Sequence, residues 1–200
     1  MTVRYVAVEG VDGAGKTTVA RRVVEALGAT GDVRFVREPG GTPTGEAIRD
    51  VLLDRDGVVA PWTEALLFAA GRAQLAAEVV GPALEAGALV VSDRTVYSSL
   101  AYQGGARGLG LGTVRAVNEA GLQGVWPDLV VLLRVDPAEA LAREDDADRI
   151  SVEGLELQRR VADAYEALAR AEPDRFVIVD ARRPIDDVVD LVVRSIEERR

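Results

Sequence analysis

The chain is expected to fold as a doubly wound α/β domain, a mainly parallel sheet covered by helices on both sides. Three observations point there. Five short apolar runs, at residues 3–8, 33–36, 88–92, 129–135 and 176–179, scarcely alternate with polar residues, as expected of strands buried on both faces. Longer stretches with helical periodicity separate them, at about 16–27, 44–53, 62–86, 97–103, 111–122, 137–144, 152–171 and 185–198. Strand and helix alternate throughout, which favours parallel pairing through right-handed crossovers.

The 200 residues lie within the range of one domain, and 48% apolar content is enough for one continuous core. No tract rich in Pro, Gly or Ser divides the chain and no repeat is visible, so residues 1–200 are expected to form a single domain. The Gly-rich stretch 104–112 and the acidic stretch 144–148 read as loops.

Composition narrows the chemistry. Cysteine and histidine are both absent, which removes disulfides, thiolate chemistry and imidazole as base or metal ligand. A net charge of −9 argues against nucleic acid as a partner, because polyanion binding relies on a basic surface. No apolar run approaches the roughly 18 residues of a membrane span, and the chain opens on a strand without a charged leader, so no membrane association and a cytoplasmic location are expected. Of 24 basic residues only Lys16 is a lysine. The place of that lysine is informative.

Gly10, Val11, Asp12, Gly13, Ala14, Gly15, Lys16 and Thr17 fit the G-x-x-x-x-G-K-[ST] pattern, between the first expected strand and the first expected helix. Glycines permit a tight turn whose backbone N–H groups face inward, and the helix that follows adds its positive end, so a polyphosphate is held without bulky side chains. Lys16 is expected to reach the terminal phosphates, and Thr17 to offer its hydroxyl to Mg²⁺. The fold expected is therefore the three-layer P-loop NTPase fold with a five-stranded sheet. Such a site also needs an acid at a neighbouring strand end. Asp93, after Ala88–Ser92, is favoured over Asp136, which precedes Pro137 and suits a helix cap equally well. Arg94 follows at once and supplies a guanidinium for a phosphate.

From here the chain resembles the thymidylate kinases, a family of P-loop nucleoside monophosphate kinases. The likeness runs in the family's order through the phosphate loop, residues 37–43 (REPGGTP), 45–49 (GEAIR), 67–74 (LFAAGRAQ), Asp93-Arg94, 98–104 (SSLAYQG), 107–109 (RGL), 127–129 (PDL) and 180–181 (DA). It implies transfer of the γ-phosphoryl group of ATP to dTMP with Mg²⁺, giving dTDP and ADP. It also implies homodimers formed by helices packed side by side. Lys16, Asp93, Arg94 and Arg149 are then the catalytic candidates, and Thr17 and Asp93 the metal-binding ones. ATP is expected on residues 10–17 and Thr18, with Arg143 against adenine.

For the acceptor, the resemblance assigns Phe68 to stacking on thymine and Arg72 to its O4 carbonyl. Ser99 and Gln103 match positions near the base edge, and Tyr102 the aromatic beneath the deoxyribose. Asp12 resembles the carboxylate for the 3′-hydroxyl. Arg37, Arg49 and Arg94, with Pro39 between the first two, are similar to the acceptor phosphate clamp. A phosphate dianion is already nucleophilic at neutral pH, so no general base is needed.

Departures from the family pattern are Gly71 and Leu75 beside Arg72, Thr95 in place of an aromatic, Ser151 in place of a Glu, and Arg134 where an acid is frequent. The expected lid, about 142–151, is short and acidic, with Glu144, Asp145, Asp146 and Asp148 against Arg143 and Arg149. Two other readings stay open on these residues: a kinase for another deoxynucleoside or its monophosphate, and a non-catalytic P-loop nucleotide switch.

Overall fold

The computed structural model describes residues 2–29, 31–143, 149–150 and 153–200; Glu144–Asp148 and Ser151 of the expected lid lie outside them. Five strands, β1 (Tyr5–Glu9), β2 (Val33–Arg37), β3 (Leu89–Asp93), β4 (Leu129–Arg134) and β5 (Phe176–Asp180), form one sheet in the order β2-β3-β1-β4-β5. All four pairings are parallel. The sheet is thus wholly rather than mainly parallel. Among the described residues nine α-helices surround it: α1 (Lys16–Gly28), α2 (Pro43–Leu53), α3 (Pro61–Leu75), α4 (Gly81–Glu85), α5 (Val96–Ser99), α6 (Leu111–Leu122), α7 (Pro137–Leu141), α8 (Leu155–Ala171) and α9 (Ile185–Glu197).

Every residue of β1 and β3 is buried, as is β4 up to Leu133, which requires helices on both faces. The edge strands differ. Both β2 and β5 keep part of their side chains in contact with solvent, and Ile178 is exposed. An apolar run therefore marked a strand correctly without marking its distance from the sheet edge.

Two expected boundaries change. The single helix expected over 62–86 is three pieces, because Pro82 has no N–H for the helical ladder and crowds the carbonyl one turn back. The chain meets this with a wide π turn over Ala76–Val80 before α4 resumes. The glycines after residue 103 are only partly a loop. Leu100–Ala106 form a second π turn packed on α8, where a Cβ on Gly105 would meet the Ala164 Cβ at 2.5 Å. The glycine serves close helix packing, and the loop shrinks to 107–110.

Register sets up the site. Asp93 lies opposite Val8 on one side and Arg37 on the other, so the carboxyl ends of β1, β2 and β3 finish together. That edge is where open α/β sheets bind ligands.

Candidate active site

The phosphate loop bridges β1 and α1. Gly13 has φ +75°, and a Cβ there would lie 1.9 Å from the Ala140 carbonyl oxygen of α7, so only glycine fits. Gly15 caps α1 at φ 87°, leaving the first amides of the helix pointing at the turn. The Lys16 ammonium is buried and donates to the Val11 carbonyl at 2.6 Å. Burial and the neighbouring Arg94 guanidinium press its pKa down to about 8, against the opposing pull of Asp12, Asp93 and Glu9. The Thr17 hydroxyl donates to the Asp93 carboxylate at 2.5 Å.

Asp136 does something else. Its carboxylate accepts the Ala138 N–H at 2.8 Å and that of Glu139 at 3.4 Å, capping α7. Asp93, and not Asp136, is the acid beside the loop.

A cleft of about 410 Å³ runs from this loop across the carboxyl edge of the sheet. Most of the expected site residues line it: Asp12, Gly13, Gly15, Lys16, Thr17 and Thr18 of the loop and α1; Arg37, Pro39 and Arg49; Phe68; Asp93 and Arg94; Ser99, Tyr102 and Gln103; and Arg143. Arg94 sits at φ 67°, a left-handed conformation unusual outside glycine. Its guanidinium pairs with the Asp12 carboxylate, donates to the Ser98 hydroxyl at 3.2 Å, and lies 5.4 Å from the centre of the Tyr102 ring. Burial alone would raise the Asp12 pKa, but the Arg94 and Lys16 charges outweigh it and hold the carboxyl below its usual value. Arg37 is held by both oxygens of Glu46, at 3.1 and 3.2 Å, and Arg49 donates to the Pro39 carbonyl at 2.9 Å.

One polar atom at the cleft is unsatisfied. The Ser99 hydroxyl oxygen is buried and has no hydrogen-bond partner among the described residues. A buried hydroxyl without a partner is costly unless a bound group completes it.

Five expected site residues, Gly10, Val11 and Ala14 of the phosphate loop together with Arg72 and Arg149, lie outside the lining. Arg72 is 3% exposed and sits behind it, donating to Glu38 at 2.6 Å, to the Asn118 side-chain carbonyl at 2.5 Å and to the Thr95 carbonyl at 3.2 Å. Arg149 does not face the phosphate loop. It donates to the Leu52 carbonyl at 2.8 Å and pairs with Glu64 at 2.7 Å. The reason is electrostatic: Glu64 is 1% exposed, and a buried carboxylate requires charged or amide donors. Arg107 and Gln103 supply the others. Together these donors outweigh the desolvation that would raise the Glu64 pKa and keep it low.

Several residues of the site were not anticipated. Glu38 lines the cleft and binds Arg72. Gln158 contacts Asp12. Glu9 is wholly buried and accepts from Thr95, Ser98 and Tyr165. Glu9 had a signal: a charge within an apolar strand buried on both faces must have partners. Gln158 and Glu64 had none, since their partners are distant in sequence.

Comparison with known proteins agrees with this geometry. The family model described as thymidylate kinase matches residues 8–192. A thymidylate kinase of Caldanaerobacter subterraneus subsp. tengcongensis is 42% identical over 198 residues, covering 98% of this chain and 95% of that protein. The thymidylate kinase of Deinococcus radiodurans is 44% identical over 199 residues, covering 98% and 97%. That of Leifsonia xyli subsp. xyli is 46% identical over 189 residues, covering 92% and 90%. With a phosphate loop, a paired acid and a base-sized cleft in one continuous groove, the chain belongs to the thymidylate kinase family.

Proposed function

We propose that this protein transfers the γ-phosphoryl group of ATP to dTMP, releasing dTDP and ADP. The observation that carries the reading is a single cleft lined by Lys16, Thr17 and Asp93 beside the phosphate loop and, further along, by Phe68, Ser99 and Gln103. Donor and acceptor phosphates meet in such a groove without a covalent intermediate. The family and its relatives favour dTMP over another acceptor.

Positioning and charge neutralisation carry the reaction. Loop amides and Lys16 hold the β- and γ-phosphates. Arg94, Arg37 and Arg49 hold the acceptor phosphate, and Arg94 already lies at the boundary between the two ends. Phe68 stacks on the base and Ser99 completes its hydrogen bond there, while Arg72, held behind the wall by Glu38, Asn118 and Thr95, reaches the base only by giving up one of these partners. Tyr102 packs beneath the sugar, while Asp12 takes the 3′-hydroxyl. Arg143, exposed at the cleft mouth, packs on adenine.

Mg²⁺ fits the residues present. Thr17 and Asp93 offer hard oxygen donors already within hydrogen-bond reach of each other, and no cluster of three or more acidic ligands exists among the described residues. That suits an ion that keeps several waters and leans on phosphate oxygens. When bound, it supplies positive charge to the phosphate groups.

Arg149 enters the reading as a candidate for stabilising transferring charge only if its pair with Glu64 opens; in the conformation described it anchors residues 149–150 to α2 and α3.

A cytoplasmic location is part of the proposal because ATP is the donor; separately, among the described residues no helix is long and apolar enough to cross a membrane. A homodimer is supported by Val51 of α2 and Trp62 and Leu66 of α3, all at least 42% exposed. Light scattering after gel filtration tests it, with Trp62→Glu expected to yield monomers.

The acceptor is tested by ADP release with ATP and Mg²⁺ in the presence of dTMP, dUMP, dCMP, dGMP or thymidine. A strong preference for dTMP is expected. Equal rates with every acceptor, or activity on thymidine instead, would overturn the assignment.

A further inference from the structure

We propose that Gln158 is a positioning residue that fixes the Asp12 carboxylate for the acceptor sugar, and that it ties the start of α8 to the phosphate loop. The inference rests on the dTMP site described above, because Asp12 acts there on the acceptor.

Gln158 is fully buried in the first turn of α8, its own N–H bonded to the Gly154 carbonyl at 3.3 Å. Its side chain meets Asp12 at two points. The amide nitrogen donates to Asp12 Oδ2 at 2.6 Å, and the amide oxygen accepts the Asp12 backbone N–H at 3.1 Å. The amide orientation is forced, since one partner is only a donor and the other, once ionised, only an acceptor. Tyr102 donates to the same amide oxygen at 3.4 Å.

The other Asp12 oxygen, Oδ1, takes the Arg94 guanidinium. The carboxylate is therefore held from two sides by unlike groups, a cation shared with the acceptor phosphate clamp and a neutral amide. Charge explains the choice of amide. Asp12 already faces Arg94 and Lys16, and these keep it ionised. A third cation would compete for the loop that must receive a polyphosphate, and a carboxylate would repel Asp12. A neutral two-point partner fixes rotation about the Asp12 side chain without altering its charge. Leu157 and Val161, the neighbours of Gln158 on α8, are buried and apolar, so the amide stands beside hydrocarbon. The amide is present where packing alone does not ask for one. Because α8 follows the segment 142–151, displacement of its first turn changes both contacts to Asp12 at once.

The test is steady-state kinetics of the full chain, varying dTMP and ATP separately, for Gln158→Met and Gln158→Glu, each assayed well below its own melting midpoint. Gln158→Met is expected to raise KM for dTMP about tenfold, the size of one lost hydrogen bond to a charged group, and to leave KM for ATP within about twofold. In Gln158→Glu two carboxyl groups share the space of one, so one of them keeps a proton to higher pH. KM for dTMP in that variant is expected to rise with pH as the shared proton leaves, more steeply than in the parent protein. A purely structural role would lower the melting midpoint without separating the two KM values or changing the pH profile. Parent-like KM for dTMP in Gln158→Met, or a parent-like pH profile in Gln158→Glu, overturns the inference. If Gln158→Met does not fold, the Gln158→Glu profile decides. A parent protein inactive on dTMP would instead overturn the acceptor assignment itself.

Discussion

Glu38 and Arg72 form an ion pair at the back of the cleft, with Arg72 Nε donating to Glu38 Oε2 at 2.6 Å and both side chains almost wholly out of water. Burial pushes the Glu38 pKa up from 4.5 to about 7, with Arg72 opposing and Glu9 reinforcing the rise. An acid whose folded pKa exceeds its unfolded one binds more protons when folded between those values. Its contribution to stability is therefore complete below about 4.5 and declines as pH rises to about 7. Urea unfolding at pH 5 and pH 8 is expected to show the stability difference between the parent protein and Glu38→Gln narrowing at the higher pH. A constant difference would contradict it.

The partnerless Ser99 hydroxyl gives a sharper expectation. Ser99→Ala removes a buried polar atom that has no hydrogen-bond partner among the described residues. Stability should hold or rise by about 1–3 kcal/mol, the cost of an unsatisfied buried group. The affinity for dTMP, by calorimetry, should fall about 2- to 12-fold, the range of one hydrogen bond. Lost stability with unchanged affinity would show that the hydroxyl serves the fold.

Lys16 is the only lysine, so protein carrying ¹³C-labelled lysine gives one side-chain resonance to titrate. Without nucleotide the midpoint is expected at about 8. ATP, bringing negative charge to the ammonium, should move it upward. A midpoint near 10.5 in the free protein would mean that the side chain is not enclosed as described.

For the ion pair of Glu64 and Arg149, removing the acid should cost more than removing the base. Glu64→Gln leaves both Arg107 and Arg149 without their buried carboxylate, a loss of about 3–5 kcal/mol. Arg149→Ala leaves Glu64 with Arg107 and Gln103, so a loss of about 1–3 kcal/mol is expected, with kcat reduced less than tenfold. A hundredfold fall in kcat at unchanged stability would return Arg149 to the catalytic role that its place in the sequence predicts.

Local chemistry was the legible part. Unalternating apolar runs located all five strands, and the glycine pattern with Lys16 and Thr17 located the phosphate loop because both depend on neighbours in sequence. Choosing Asp93 over Asp136 also needed only the proline after residue 136. Buried polar partnerships were not legible, because their members lie far apart. Arg72 looked like a residue facing the ligand, yet its three acceptors come from β2–α2, the start of α5 and α6. Arg149 looked like a free lid cation until Glu64, 85 residues away, proved to hold it. Gln158 carries no pattern at all; only the approach of α8 to the phosphate loop gives it a partner.

Phosphoryl transfer by this protein depends on donor and acceptor meeting in one cleft. The most direct measurement follows label from γ-³²P-ATP into thymidine nucleotides with Mg²⁺, separating products by chromatography, for the parent protein and Lys16→Ala. Label is expected in dTDP with the parent protein and at least 100-fold less with the variant. Label found only in inorganic phosphate, or equal dTDP from both proteins, would contradict the account.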